Sequence, residues 1–366
     1  MAFDFSQPAY QSFRSLAAER TSAVVAWVGS GLSAPAGLPT WPLLRGRLFD
    51  TAQKKVESFD PNEDVNALQR LKRLLERAES EPNNWTAFEM LKKVLGTTSY
   101  RECIRAALNP AVTGPIPEAY LNLWRLRLSG IINLNLDRLA TRAYTSMKPG
   151  KALVEFNGCE TANWLHALKQ THPFIVNMHG ISDNASSWVM TRSELQSLFA
   201  TPAYEEFIVS CLASRTILFL GISADDIAAG GHLERMTRKG ADFGTHYWLT
   251  DRRDLRTDRW GERAGVSTIR YDSTGHDHTA VGEFFEDILA FIPADDAAAP
   301  VAFSVPTENY LPSSRELSRE DAETIRYYLN ARASQILQTD SEAEYQEYEQ
   351  FCREYNEAVY RAWYVD

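Results

Sequence analysis

Residues 23–41 read AVVAWVGSGLSAPAGLPTW, and the fold turns on that run. Its first six residues are apolar and largely β-branched without alternation, the pattern of a strand covered on both faces. The run then breaks at Gly29-Ser30-Gly31. Glycine lets the chain turn sharply and lets backbone N–H groups approach a diphosphate, while a helix starting there adds its positive end. A tight strand-to-helix turn without a ligand explains the same residues, so this piece alone leaves both readings open.

Working outward, five further runs resemble the first: GIINL (130–134), FIVNM (174–178), TILFL (216–220), HYWLT (246–250) and VSTIRY (266–271). Most are continuous rather than alternating, and most leave room for a helix before the next. That combination predicts an α/β chain, a Rossmann-like doubly wound parallel sheet with helices on both faces. The interval between the first two runs is too long for one crossover. VNALQRLKRLLERAES, WTAFEMLKKVL and YRECIRAAL carry apolar residues at helical spacing, so residues 45–125 read as a helical insertion.

After Ile292 the composition turns rich in Pro, Ala and Ser, a linker over 293–317. Residues 318–366 read as a C-terminal helical extension with apolar stripes, Ile325, Tyr328, Leu329 and Ile336 on one helix and Tyr345, Phe351, Tyr355 and Trp363 on the next. Those stripes suit packing within the chain and docking of a partner equally.

The chain has 366 residues, with 38 Lys+Arg against 48 Asp+Glu and a net charge of −10. Such a balance disfavours direct nucleic-acid binding. Cys103, Cys159, Cys211 and Cys352 form no CxxC pair, which argues against a zinc ribbon and a disulfide framework. Neither a secretory signal nor an apolar segment of about 20 residues is present, so the expectation is a cytoplasmic protein without a membrane partner. The pair His276 and His278 is too sparse to carry a metal site.

Three more strand ends hold polar residues. Asn133-Leu134-Asn135-Leu136-Asp137 follows the second run, Asn177-Met178-His179-Gly180 the third, and Gly221-Ile222-Ser223-Ala224-Asp225 the fourth. An Asn amide can hold a hydroxyl and a water at once. An Asp can accept from a carboxamide, and a His titrates near neutrality. Each also has a plain explanation: Asn135 or Asp137 as a helix cap, Asp225 as a turn residue.

In this order, the four segments resemble the sirtuin family over about residues 20–292. GSGLSxxxGLPxW is similar to its glycine-rich signature, Asn135 and Asp137 to its Asn-x-Asp motif, His179-Gly180 to its catalytic His-Gly pair, and Gly221-Ile222-Ser223 to its ribose-contacting loop. Asn133 replaces a threonine, Ser30 an alanine, and Pro42-Leu43 stand where deacylases carry an arginine. The family's zinc-ribbon cysteines are missing after His179. WVMTRSEL (188–195) resembles the non-deacylase, SIR2-type branch found in bacterial anti-phage defence.

The resemblance implies NAD+ as substrate, no metal, and hydrolysis of the nicotinamide–ribose bond. Asn135, His179 and Asp137 would be catalytic, and these three would meet at one cavity. Gly29, Ser30, Gly31, Ser33, Gly37, Leu38, Pro39, Trp41, Gly221 and Ser223, with Asn135 and Asp137, would hold the dinucleotide. Control would fall to a homo-oligomer or to a partner such as a HerA-type ATPase or another defence protein. The rival expectations are an NAD-dependent protein deacylase or ADP-ribosyltransferase, and a non-catalytic NAD+ or ADP-ribose sensor.

Overall fold

The structure is a computed structural model that describes residues 3–19, 24–60, 64–109, 114–158, 160–169, 172–222, 244–253, 261, 265–273 and 278–292. Ser223, Asp225, His276, the linker and the C-terminal helical extension lie outside the described residues.

The strands are β1 (Val24–Val28), β2 (Gly130–Asn133), β3 (Val154–Asn157), β4 (Phe174–Asn177), β5 (Thr216–Leu220), β6 (His246–Thr250) and β7 (Val266–Arg270). They form one sheet in the order β3-β4-β2-β1-β5-β6-β7. Every pair is parallel. The sheet is therefore Rossmann-like and doubly wound, and all six apolar runs are strands. β3 was not anticipated. Its sequence VEFN lies half-buried at the sheet edge, so it lacks the continuous apolar signature.

The described helices are α1 (Pro8–Ala18), α2 (Ser30–Ser33), α3 (Trp41–Glu57), α4 (Val65–Ser80), α5 (Asn84–Leu95), α6 (Thr97–Leu108), α7 (Glu118–Arg125), α8 (Leu139–Met147), α9 (Thr161–Lys169), α10 (Arg192–Phe199), α11 (Pro202–Ser214) and α12 (Thr279–Phe291). None is long and apolar enough to cross a membrane. Helices α3 to α7 fill the interval between β1 and β2, beginning at Trp41, with Pro42 in the first turn where a missing N–H costs nothing. Asp64 caps α4 and Asn83 caps α5, each side chain accepting from a backbone N–H three residues on.

Strand periodicity divides the core. Val24, Ala26, Val28, Leu218 and Leu220 face one layer with Phe284 and Phe285 of α12. Val25, Trp27, Ile217 and Phe219 face the other with Phe207 and Ile208 of α11. A third cluster holds the inserted helices together and takes in Leu136, Trp188 and Met190 from loops at the strand ends.

Register decides what meets at the carboxyl edge. Val28 pairs with Asn133 and with Leu220, and Asn133 pairs with Asn177. Gly29, Leu134, Met178 and Gly221, each one step past its strand, are thus level. The chain runs outward from β1 on one side and resumes from β5 on the other. The switch point, where open α/β sheets hold ligands, lies between the ends of β1 and β5.

Candidate functional site

At that switch point two turns touch backbone to backbone. Gly29 N–H donates to Leu220 O and Gly31 N–H to Gly221 O, both at 3.0 Å. A Cβ on Gly29 would sit 2.7 Å from Gly221 O, and one on Gly221, whose φ is +62°, would sit 2.4 Å from Leu32 N. This contact accounts for the glycines without a ligand. It also commits two N–H groups that the sequence reading had offered to a diphosphate.

A cavity of about 1100 Å³ opens beside these turns, lined by Ser30, Gly31 and Trp41 from one side and by Gly221, Thr250, Asp251 and His278 from the other. It slightly exceeds the roughly 300–1000 Å³ of ordinary small-molecule sites. Gly37, Leu38 and Pro39 do not line it. Gly37, at φ +78°, ends the short turn after α2, while Leu38 is packed in the core.

Behind the glycine turn lies a buried polar cluster. Ser33 Oγ donates to Asp137 Oδ2 at 2.8 Å and lies 2.8 Å from the Tyr120 hydroxyl. Asn135 Nδ2 donates to Gly29 O (3.0 Å), Ser33 Oγ (3.0 Å) and the Tyr120 hydroxyl (3.1 Å). Ser33, Asn135 and Asp137 therefore converge from two loops about 100 residues apart in sequence. Burial pushes the Asp137 carboxyl up, against the N–H and O–H groups that favour its charged form. Its Oδ1 accepts from Leu139 N at 3.0 Å. One carboxylate oxygen thus meets the first N–H of α8 and the other the Ser33 hydroxyl.

The loop that carries Asn135 and Asp137 is held from below. Asn133 Nδ2 donates to Asn135 O (3.1 Å) and to Asn177 Oδ1 (2.9 Å), and its Oδ1 accepts from Asn135 N (3.1 Å). Asn177 in turn donates to Glu155 on β3 at 2.8 Å. Polar side chains buried at strand ends need partners, and these find them in one another.

His179 is fully buried. Its Nδ1 lies 2.9 Å from Leu134 O. A carbonyl only accepts, so Nδ1 carries the proton and Nε2 is left as an acceptor. Nε2 is buried without a partner. The Trp85 ring stands edge-on to the imidazole at 5.2 Å between centroids, and Trp41 at 6.5 Å. Burial pushes the imidazole pKa down to about 4. His179 is thus tied to the residue preceding Asn135 but joins none of the Ser33–Asn135–Asp137 hydrogen bonds. Nor do Asn135, Asp137 and His179 line the 1100 Å³ cavity. The expectation of three side chains meeting at one open cavity differs from this lining: Asn135 and Asp137 bond to one another's partners behind Gly29 and Ser33, and the imidazole stands against Trp41 and Trp85, which do line the cavity.

Two other histidines have hydrogen-bond partners. His246 is buried in β6, where its Nδ1 accepts from Ile217 N at 3.2 Å. His278 precedes α12 and its Nδ1 lies 2.9 Å from the Tyr271 hydroxyl. Among the described residues no group of three His, Cys, Asp or Glu side chains could hold a metal ion, and Cys103 and Cys211 are free.

Sequence reasoning missed Tyr120 and Trp85. Both sit in helices between β1 and β2, where their apolar neighbours make them read as core.

A parallel, doubly wound sheet with a cavity and a polar cluster at its switch point is the Rossmann-like arrangement in which open α/β sheets hold ligands. A family model described as a SIR2-like domain matches residues 129–269. Over those residues the chain is similar to a SIR2-like domain, a likeness that supports an NAD-related, sirtuin-type function. No curated protein matches the chain. The match begins after α7, so Ser33 and Tyr120 are tied to it by geometry rather than by sequence.

Proposed function

We propose that the protein is an NAD+ glycohydrolase that releases nicotinamide and ADP-ribose and acts in anti-phage defence by depleting NAD+. The observation that carries this reading is the direct bonding of Ser33, Asn135 and Asp137 at the switch point, one layer behind a cavity of dinucleotide size. Gly29 O ties Asn135 to the glycine turn, so the adenosine and diphosphate would lie along the cavity, towards Gly221. The nicotinamide end would then reach the polar cluster.

The chemistry is substitution at the ribose C1′. The C1′–N bond breaks and neutral nicotinamide leaves with the electron pair. Water attacks the oxocarbenium-like carbon, and the proton it loses passes to a base and then to solvent. Asn135 would hold a ribose hydroxyl and the water. Asp137 would accept from the carboxamide N–H2 and stabilise positive charge developing nearby. His179, unprotonated at neutral pH with Nε2 free, has the tautomer needed to accept a proton. The segment from Gly180 to Thr191 favours water over an acyl-lysine acceptor. It contains no cysteine and closes on itself, Trp188 Nε1 donating to Ile181 O at 2.6 Å.

Trp85 belongs to α5, within the helices between β1 and β2. Its cover over His179 fits an enzyme whose basal turnover is slow and rises when a partner or self-assembly displaces it, as a defence effector acting on its host's own NAD+ requires. A homo-oligomer or a HerA-type ATPase would supply that trigger.

The same burial favours one second reading, a non-catalytic NAD+ or ADP-ribose sensor. Chromatography of NAD+ incubated with the protein separates the two. Hydrolysis gives nicotinamide and ADP-ribose in equal amounts, abolished by Asn135→Ala and by His179→Ala in chains that still fold. Turnover unchanged in both variants would overturn the site assignment, and binding without turnover would favour the sensor.

A further inference from the structure

The hydrogen bonds around Ser33 have a direction. Asn135 Nδ2 can only donate, and Gly29 O can only accept, so the amide cannot be reversed. Ser33 has one hydrogen and gives it to Asp137 Oδ2. Its oxygen must therefore accept from the Tyr120 hydroxyl, 2.8 Å away. The Tyr120 oxygen accepts in turn from Asn135 at 3.1 Å. The hydrogens run Tyr120 to Ser33 to Asp137 and end on the carboxylate.

Tyr120 is fully buried on α7, outside every sequence motif and before the segment that the SIR2-like model matches. Without its hydroxyl, Ser33 Oγ loses a donor, and the Asn135 hydrogen shared between Ser33 and Tyr120 is left with Ser33 alone. We infer that Tyr120 is a positioning residue of the nicotinamide end: its hydroxyl helps hold the Asn135 nitrogen inward, so that Oδ1 is presented to substrate, and it turns the Ser33 hydroxyl towards Asp137. The inference rests on the proposed NAD+ reading and adds a residue to it.

A merely structural phenol would fill space and satisfy itself, and Phe would replace it with a loss of stability alone. A positioning phenol leaves a mark on pH dependence. Asp137 already sits high because it is buried, and the Ser33 hydrogen is one of the few things lowering it. The other titratable groups nearby do not compensate. Arg138 points away to Glu155 and Asp183, and His179 is neutral. Tyr120 itself stays protonated, since burial and the Asp137 charge push its phenol well above its ordinary value.

The test is Tyr120→Phe in the full chain, with Ser33→Ala as a second variant. Melting curves check the fold. Two readouts follow across pH 5 to 8: nicotinamide release from NAD+, and nicotinamide affinity by NMR, which needs no turnover. The expected result is a kcat reduced about tenfold with KM within about twofold. The acidic limb of both readouts moves up by about one pH unit, and Ser33→Ala gives the same displacement. Superimposable pH curves for Tyr120→Phe and the unaltered chain, in a protein that Asn135→Ala still inactivates or unbinds, overturn the role of Tyr120 alone. An unaltered chain that neither binds nor releases nicotinamide overturns the NAD+ reading and this role with it.

Discussion

Gly221→Ala gives the most quantitative check on the switch-point geometry. Gly221 has φ +62°, and an alanine Cβ there meets the backbone nitrogen of Leu32 at 2.4 Å. Placing an L-residue in the left-handed region costs about 1–2 kcal/mol. Overpacking adds about 1–3 kcal/mol, and no side-chain rotation relieves it because the obstacle is backbone. The total is about 2–5 kcal/mol. At about 2–4 °C per kcal/mol for domains of 150–250 residues, Tm should fall by at least about 4 °C. The matched control is Gly46→Ala in α3, where nothing lies within 4 Å of the new Cβ and helix propensity favours alanine by up to about 1 kcal/mol. Thermal melts followed by circular dichroism should therefore move in opposite directions. A Gly221→Ala chain that melts at or above the unaltered protein would refute the claim that the β1 and β5 turns are packed backbone to backbone.

His179 and His246 are each pushed down to about 4 by burial, against about 6.5 unfolded. Their neutral forms stabilise the fold fully above about pH 6.5, and that contribution, roughly 3 kcal/mol each at most, drains away as pH falls towards 4. Urea midpoints should drop between pH 7 and 4.5, less steeply in His246→Asn; a flat profile would contradict the burial of both rings. Trp85→Ala should cost about 3–5 kcal/mol and bring the His179 pKa back towards 6.5, visible in NMR of labelled histidine. Asn133→Val should cost about 1–3 kcal/mol by leaving Asn135 N–H without its side-chain acceptor, and it should lower nicotinamide affinity; an unchanged affinity would mean that the Asn135 loop holds its shape without Asn133.

Much of this was legible in the sequence because a parallel sheet converts chain order into place. Each motif follows a strand whose last residue is level with its neighbours, Val28 with Asn133 and Leu220. Recognising the strands therefore brought Gly29, Asn135 and Gly221 to one edge. β3 escaped because an edge strand half open to solvent carries Glu155 and Asn157 among its four residues, too polar a run to count. Tyr120 and Trp85 escaped for another reason. Their importance comes from how α5 and α7 pack over the sheet edge, and helical periodicity says which face is buried but not against what. The same gap hid the closure over His179: strand order put the imidazole beside Leu134, while helix packing decided that Trp85 would cover it.

The central claim is that NAD+ lies at the switch point with its nicotinamide end towards Asn135 and Asp137. Proton NMR of NAD+ with the full chain reports binding and cleavage in one experiment. The account predicts broadened nicotinamide-ring resonances that give way to free nicotinamide, with ADP-ribose accumulating one for one, and neither change with Asn135→Ala. Nicotinamide resonances that stay sharp, unshifted and undiminished would contradict it.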